Sequence, residues 1–226
     1  MLTRYRWYRI QLPQSDLNLS EIIENRPLTQ DSSFGFVHKE NQTGASLFRF
    51  LWRTKVVITR FDDGDRPSYE EVASISFTDF SIVVAEGVTF LRIENPGRNM
   101  RDLLNALESI LGLGFTSKPL TFDKAKPTTV FEHVDVTKLV GLKVVGAVVD
   151  EDLVARMEFV SKQGMVVENM KLLDGLRYNV DSAVFELIFE GVRGQLAFAS
   201  SGLVKVSGAL APKLVHLIER DLPKLM

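Results

Sequence analysis

The fold is decided by the segment Tyr178–Leu222, which reads YNVDSAVFELIFEGVRGQLAFASSGLVKVSGALAPKLVHLIERDL. Residues 185–189 place three large apolar side chains on one side of an extended chain, and this alternation predicts a strand. Residues 196–199 and 203–206 predict two further short strands. A helix is predicted next, because apolar residues then recur at intervals of three and four, at Leu210, Leu214, Leu217, Ile218 and Leu222. This unit therefore consists of three strands followed by one helix.

The composition indicates a globular protein. The 226 residues are 45% apolar, which is enough for a packed core, and the formal net charge of −2 gives no general attraction to nucleic acid or to an anionic membrane. The chain has no cysteine, which excludes disulfides, thiolate nucleophiles and zinc sites built on sulfur. Because neither a signal peptide nor a run of about 18 apolar residues is present, we expect a cytoplasmic protein without a membrane partner.

The first part of the chain predicts a strand, a short helix and a hairpin. Residues 4–12 alternate as a strand and end at Pro13. A weak apolar stripe predicts a helix up to Asn25, with Ser15 or Asp16 as its cap. The hairpin joins residues 34–39 to 45–54 through the turn 40–44, and the second strand continues as an extended chain to Phe61.

Three more strands are predicted beyond Pro67, at 72–80, 81–84 and 88–93. The alternation of apolar residues slips between Phe77 and Phe80. A slip of this kind is typical of a bulge, so we expect a break in the strand here.

The clearest helix of the first half covers residues 100–111. Asn99 is its predicted cap, and Gly112 follows its last apolar residue. The next segment, 112–129, contains two glycines, two prolines and three lysines without apolar periodicity. It is the best candidate for a boundary between domains.

The second half begins with a valine-rich strand at 142–149. Residues 153–160 fit either a strand or a helix capped by Asp150. We choose a strand, because the turn at 162–164 and the apolar run 165–172 resemble the turn and return of a hairpin; the helix remains the alternative.

The two halves share an order of strands followed by one leucine-rich helix. We therefore predict an α+β protein with an N-terminal half at 1–116, a linker at 117–129 and a C-terminal half at 130–226, each an antiparallel sheet backed by a helix. This order resembles, in topology, the saddle of the TATA-binding-protein fold and related helix-grip arrangements. No motif residues accompany the resemblance, so it implies no function.

Candidate catalytic residues are few. The histidines, His38, His133 and His216, belong to no recognisable motif, and His216 lies among apolar residues that favour a structural role. Pairs such as Glu158 with Lys162 lack the second acid of a metal-dependent nuclease. The acidic turn 62–65 is better explained by a hairpin than by a calcium loop. We expect no metal and no cofactor, and we favour a protein without catalysis.

Basic residues are concentrated near the N-terminus. Residues 1–60 hold nine Lys or Arg against five acids, whereas residues 61–120 hold five against ten. The planar guanidinium group of arginine binds phosphates and carboxylates, and nearby aromatic rings could stack on bases. The candidate binding residues are Arg4, Arg6, Arg9, Arg49, Arg53, Lys55 and Arg60. By alternation, Arg9 lies on the opposite face of its strand from Arg4 and Arg6.

The main functional hypothesis is a non-catalytic recognition or assembly subunit that uses these basic strands. Its partner would be a protein, a second copy of the chain or a nucleic-acid backbone. The alternative is a sensor of a small molecule or nucleotide, with a pocket between sheet and helix.

Overall fold

A computed structural model describes residues 2–14, 17–39, 46–61, 64–97, 100–122, 131–132 and 134–225. These residues form a sheet-dominated α+β protein, and every strand pair of known register is antiparallel. The predicted α+β class is therefore confirmed. The predicted similarity of the two halves is not tested and stays a prediction.

Three α-helices and eleven strands are present among the described residues. The strands are β1 Leu2–Gln11, β2 Phe34–Lys39, β3 Leu47–Phe61, β4 Pro67–Ala85, β5 Val88–Glu94, β6 Thr116–Pro119, β7 Val136–Asp150, β8 Leu153–Val160, β9 Asn179–Phe189, β10 Val192–Ala199 and β11 Leu203–Ser207. The α-helices are α1 Leu19–Glu24, α2 Met100–Leu111 and α3 Ala211–Asp221.

The chain forms two compact units, and each is discontinuous in sequence. The α3 unit contains Met1–Ile10, Val83–Asn95 and Ser117–Met226, and the α2 unit contains Gln11–Ile82 and Pro96–Thr116. These boundaries differ from the predicted 1–116, 117–129 and 130–226. The physical reason is that β1 pairs with β5 through Tyr5–Arg9 and with β11 through Leu2–Arg6, so the first strand belongs with the last.

In the α3 unit the strand order is β5, β1, β11, β10, β9, β7, β8, and β6 also pairs with β1. Tight turns connect the hairpins. Glu190 and Gly191, between β9 and β10, have φ of 47° and 75°, and Glu86 and Gly87, between β4 and β5, have φ of 48° and 77°. Two successive positive φ angles suit the right-handed twist of the flanking strands.

α3 covers one face of this sheet. The leucine-rich stripe predicted from the sequence is buried, with Leu210, Leu214, Ile218 and Leu222 all 0% exposed. Gly194 of β10 lies under this helix, because a Cβ atom there would come 2.3 Å from Leu210 Cδ1. Even-numbered residues of β10 therefore face α3, and odd-numbered residues face away from it.

A buried polar cluster joins β1, β5 and α3. Glu219 Oε1 accepts hydrogen bonds from the Trp7 indole Nε1 at 3.2 Å and from Arg92 Nη1 at 2.8 Å. Trp7 is fully buried. A buried carboxylate needs such partners to offset its lost hydration, so the cluster sets the position of α3 on these two strands.

Part of the predicted linker is built into the α3 unit. Residues 116–119 form β6, and Leu120 and Phe122 are buried. The backbone N–H of Leu120 donates to the carbonyl oxygen of Trp7 at 3.0 Å, and that of Phe122 donates to Ser200 at 3.2 Å. The rest of the predicted linker, 123–129, lies outside the described residues.

The α2 unit contains the antiparallel strands β2, β3 and β4. An aromatic cluster lies on one of their faces, where Phe36 and Phe50 have ring centroids 5.4 Å apart and Phe48 and Phe80 are stacked at 5.6 Å. Trp52 lies beside Phe50 in this cluster and is 9% exposed. α2 buries Leu103, Ala106 and Leu107 and matches the predicted bounds 100–111.

The structure differs from two strand predictions. β4 is continuous, and its register with β3 runs without a shift from Ser81 to Pro67. The apparent slip arises because Phe77 and Phe80 lie on opposite faces of one regular strand. In addition, residues 165–172 do not return as a strand. β8 is a strand, as chosen, but it pairs with β7, with Asp150 opposite Leu153.

The predicted helix caps are also only partly confirmed. The cap of α1 is Asn18, whose side-chain oxygen accepts a hydrogen bond from the Glu21 N–H. The predicted caps Ser15, Asp16 and Asn99 lie outside the described residues. Gly112 follows α2 with φ of 78°, a conformation that favours glycine after a helix.

Candidate functional site

A concave pocket lies on the sheet of the α3 unit, on the face turned away from α3. Its volume is about 430 Å³. The lining residues come from β7, β8, β9, β10 and the turn after β8: Val140, Gly141, Leu142, Lys143, Glu158, Val160, Ser161, Lys162, Ser182, Val184, Glu186, Arg193 and Gln195. A volume of this size suits a small organic molecule.

The strand register explains why these residues meet. Lys143 of β7 lies opposite Glu158 of β8 and Ser182 of β9, so all three side chains share one face of the sheet. Arg193 and Gln195 are odd-numbered residues of β10 and therefore face the same side. The predicted position, between sheet and helix, is wrong for this pocket, because the space under α3 is filled by fully buried leucine and isoleucine side chains.

Gly141 forms part of the floor of the pocket. It pairs with Val184 of β9 and with Val160 of β8. A Cβ atom at Gly141 would come 3.1 Å from Val184 Cβ, which is tighter than ordinary packing. The missing side chain leaves room between the two valines, and a register shift between Leu139 and Gly141 bends β7 at this position.

Two ion pairs border the pocket. Lys143 Nζ lies 2.9 Å from Asp181 Oδ2, and Arg193 Nε donates to Glu186 Oε1 at 2.6 Å. Each pair neutralises a charge on the wall before any ligand arrives. The remaining charged groups in the lining are the carboxylate of Glu158 and the ammonium of Lys162, and neither forms an ion pair with another described residue.

The turn after β8 is shaped by Ser161. Its hydroxyl donates to the carbonyl oxygen of Gly164 at 2.8 Å and accepts from the Gln163 N–H at 3.3 Å. Gly164 has φ of 94°, which a glycine adopts without strain. The hydroxyl therefore serves the turn, and the turn holds Lys162 at the edge of the pocket.

The lining of the pocket is rich in polar and charged side chains. Its described lining offers carboxylates, amines and hydroxyls but no histidine and no aromatic ring. No group of three or more acids or histidines able to hold a metal occurs among the described residues. Outside the pocket, His216 is exposed on α3 and His38 Nδ1 lies 3.5 Å from Glu24. His133 and most of the acidic turn, Asp62 and Asp63, lie outside the described residues.

Three of the seven basic residues predicted as binding residues lie in the α3 unit, on β1. Arg4 and Arg9 are exposed, and the Arg6 guanidinium carbon lies 5.7 Å from the centroid of the Tyr8 ring. None of the three lines the pocket. Their alternation on β1 matches the predicted separation of Arg9 from Arg4 and Arg6.

The other four basic residues lie in the α2 unit, and each is engaged within it. Arg49 forms a two-pronged pair with Asp79, at 2.7 and 2.8 Å, and Arg53 donates to the carbonyl oxygens of Ser32 and Thr29. The two remaining pairs are Lys55 with Glu71 at 2.8 Å and Arg60 with Glu70 at 2.7 Å.

The Asp79 carboxylate is the centre of this charge network. Burial alone would raise its pKa, but the hydrogen bond from Arg49 and the nearby charge of Lys39, at 3.3 Å, together hold the pKa below its ordinary value. The Arg49 guanidinium also lies over the Phe77 ring, 4.0 Å from its centroid. Arg49 is therefore a structural residue of the β2, β3 and β4 layer.

No family model and no curated protein matches the chain. Among solved structures, the chain is similar to the di-domain ARO/CYC protein StfQ from the steffimycin biosynthetic pathway, with 12% identity, a TM-score of 0.22 and coverage of 97% of this chain and 92% of that chain. It is also similar to DynU16, a protein in the dynemicin biosynthetic locus, with 10% identity, a TM-score of 0.19 and coverage of 96% and 94%.

These findings correct the main functional hypothesis. The contacts of the basic residues carry the correction, because four of the seven are held by acids or carbonyls of their own unit. The hypothesis of a non-catalytic subunit acting through basic strands is therefore wrong. Whether any of the seven residues binds a ligand stays a prediction.

The pocket residues are not recognisable as a site from the sequence. The sequence predicts no role for Arg193, and it presents Glu158 and Lys162 only as an incomplete nuclease pair. The available signal was the alternation within β8 and β10, which places Glu158 with Val160 and Arg193 with Gln195. That signal does not reveal which strands are neighbours, so the lining could not be assembled from it.

None of the helices that the structure describes has the length and apolar character needed to cross a membrane.

Proposed function

We propose that the protein binds a small polar organic molecule in the pocket on the outer face of β7, β8, β9 and β10. The observation that carries the proposal is a concavity of about 430 Å³ that contains one carboxylate, Glu158, and one ammonium, Lys162, without ion-pair partners among the described residues. Pockets of small-molecule sites are of this size, with a few polar groups that fix orientation.

The charge pattern favours a ligand that carries both a cationic and an anionic group. Glu158 would accept hydrogen bonds from the cation, and Lys162 would donate to the anion. A nucleotide is less favoured, because the described lining has no aromatic side chain on which a base could stack. Val160 and Val184 supply apolar contact to the middle of the ligand.

The first test is a thermal-shift screen of the purified chain against small zwitterions, dicarboxylates, diamines and nucleotides, followed by calorimetric titration of each hit. A ligand at 100 times its Kd stabilises the folded chain by about 2.7 kcal/mol, which such a screen detects. We expect the zwitterions to give the largest shifts.

Charge reversal then locates the site. Glu158→Lys and Lys162→Glu should each weaken binding of a zwitterionic hit about tenfold or more, because each replaces an attraction by a repulsion. Glu168→Lys and Lys171→Glu are matched controls, since both residues are exposed and neither lines the pocket. Equal affinities in all four variants would show that the hit binds elsewhere.

A steric variant tests the same pocket without charge. Val160 and Val166 are both exposed, at 80% and 57%, but only Val160 lines the pocket. Val160→Trp should reduce the affinity of the hit, and Val166→Trp should leave it unchanged.

We also propose that the protein is cytoplasmic and that it forms a homo-oligomer. The cytoplasmic location is proposed from the sequence alone, and fractionation of cells tests it.

A further inference from the structure

The hairpin of β3 and β4 extends beyond the part of the α2 unit in which β2 pairs with β3. β2 pairs with β3 only along Leu47–Trp52. Beyond Trp52, nine residue pairs join β3 to β4, from Arg53 opposite Ile75 to Phe61 opposite Pro67. We call residues 53–61 and 67–75, together with Phe77 at their base, the arm. At about 3.3 Å per residue, nine pairs span roughly 30 Å.

Neither face of the arm is covered. Every residue of 67–75 is exposed, and so is every residue of 53–61 except Thr54, which is half-buried. An isolated two-stranded ribbon is only marginally stable in water. A ribbon of this length that is part of a folded chain therefore indicates a surface that is covered in the working protein.

The apolar residues of the arm are concentrated on one face. The register places Val57, Phe61, Tyr69, Ile75 and Phe77 on the face opposite that of the buried aromatic cluster. They are 56%, 67%, 71%, 51% and 56% exposed, respectively. We call these five residues the apolar face. The reverse face of the arm carries Val56, Ile58 and Val72, which are less exposed.

The charges of the arm do not fit a phosphate backbone or an anionic membrane. Lys55 and Arg60 are paired with Glu71 and Glu70 within the arm, and the third cation, Arg53, donates to two backbone carbonyl oxygens. A surface whose cations are already paired releases few counterions and gains little from a polyanion. The partner should instead be apolar in the same places and carry both signs of charge.

A second copy of this chain meets that description. We infer that two copies associate through the apolar faces of their arms, related by a two-fold axis that makes the arms antiparallel. In this arrangement Phe61 and Tyr69 at the tip of one arm cover Ile75 and Phe77 at the base of the other. The pair of Lys55 with Glu71 lies on the same face near its middle, so the two-fold axis brings the pairs of the two copies together with opposite charges adjacent.

The exposed area is sufficient for a dimer. With about 200 Å² for a whole aromatic side chain, the three aromatic residues of the apolar face expose roughly 400 Å² in each copy. Two copies, with Val57 and Ile75 included, bring the total to roughly 1,200 Å², the lower end of stable interfaces. A pairing of this size should give a dimer that dissociates on dilution.

The test uses the full chain and two adjacent valines. Val57 lies on the apolar face, and Val56 on the reverse face, with similar exposure of 56% and 48%. Sedimentation equilibrium should find a dimer for the native chain. Val57→Asp should raise the dimer Kd about tenfold or more, because it buries an unpaired carboxylate in the interface, whereas Val56→Asp should leave the Kd unchanged.

A cross-link tests the two-fold geometry independently. The native chain has no cysteine, so an introduced thiol can pair only with its copy in another molecule. Ala73 lies on the apolar face near its middle, and Val72 points to the other side. Oxidation should convert Ala73→Cys, but not Val72→Cys, into a covalent dimer.

Each contrary outcome overturns the inference. A native chain that stays monomeric at high micromolar concentration would do so, as would equal weakening by Val56→Asp and Val57→Asp or equal cross-linking of the two cysteine variants. Binding of a monomeric chain to duplex DNA or to anionic vesicles would assign the arm to another partner. Far-UV circular dichroism of each variant shows whether it is folded.

Discussion

Gly202 shows how one residue without a side chain holds a segment in place. It lies in the turn between β10 and β11 with φ of 86°, and a Cβ atom there would come 1.8 Å from the carbonyl oxygen of Leu120. The same Leu120 donates its N–H to Trp7. The contact explains why a stretch that reads as a linker in the sequence is packed against the sheet.

Gly202→Ala should therefore be more destabilising than Gly87→Ala. Both glycines lie in the α3 unit with positive φ, so both substitutions cost about 1–2 kcal/mol of backbone strain. Gly87 has open space where a Cβ would be, whereas at Gly202 the backbone of Leu120 must move, which adds about 1–3 kcal/mol. Urea denaturation of the two variants measures the difference. Equal losses would mean that the close approach to Leu120 contributes nothing.

Whole elements were predictable from sequence wherever a single face is apolar. α2 and α3 follow from the spacing of their apolar residues, and their bounds agree with the structure within one residue. The spacing over 153–160 fits a strand or a helix, and the return strand at 165–172 that favours the strand is not present, although β8 itself is a strand. Periodicity gave no information on which strands are neighbours. Gly141 lies beside Val184 because β7 pairs with β9, and nothing in the local sequence around either residue indicates that these two strands are neighbours. The pocket depends on such pairs, so it could not be predicted.

α3 offers a matched pair of substitutions at the scale of one element. Ile218 is fully buried under the helix, and His216, two residues earlier, is exposed. Ile218→Ala should lower the free energy of unfolding by about 2–5 kcal/mol, through lost burial and the cavity left behind. His216→Ala should change it by less than about 0.5 kcal/mol. A large effect at His216 would show that this side chain has a role beyond solvation.

For the molecule as a whole, the groups with shifted pKa values predict that the free energy of unfolding is nearly constant between mildly acidic and alkaline pH. Burial, and next the charge of Glu94, raises the pKa of Tyr5 to about 12, and burial also raises the pKa of Tyr8. The unfolded chain ionises these tyrosines near pH 10, so the stability that they contribute is complete below pH 10 and is lost as the pH rises towards 12.

Asp79 contributes to the pH dependence of stability at the acidic end of this range. Its pKa is lower in the folded chain than in the unfolded chain, so its contribution is complete above about pH 4 and is lost as the pH falls through the folded pKa. Melting temperatures recorded from pH 2 to pH 12 should fall at both ends of this range, and we call the two declines the acidic limb and the alkaline limb. Asp79→Asn should flatten the acidic limb and Tyr5→Phe the alkaline limb. If neither limb changes, other groups control the pH dependence.

The place of β1 between β5 and β11 determines the order of events during synthesis on the ribosome. β1 is translated before its partner β11, which lies about 200 residues later, or roughly 10–40 seconds at ordinary rates of translation. Throughout this interval Trp7 and Tyr5, which become core residues, have no completed sheet to enter. We expect chaperones to bind a nascent chain in which these two rings are exposed, and to release it only after β11 and α3 have emerged.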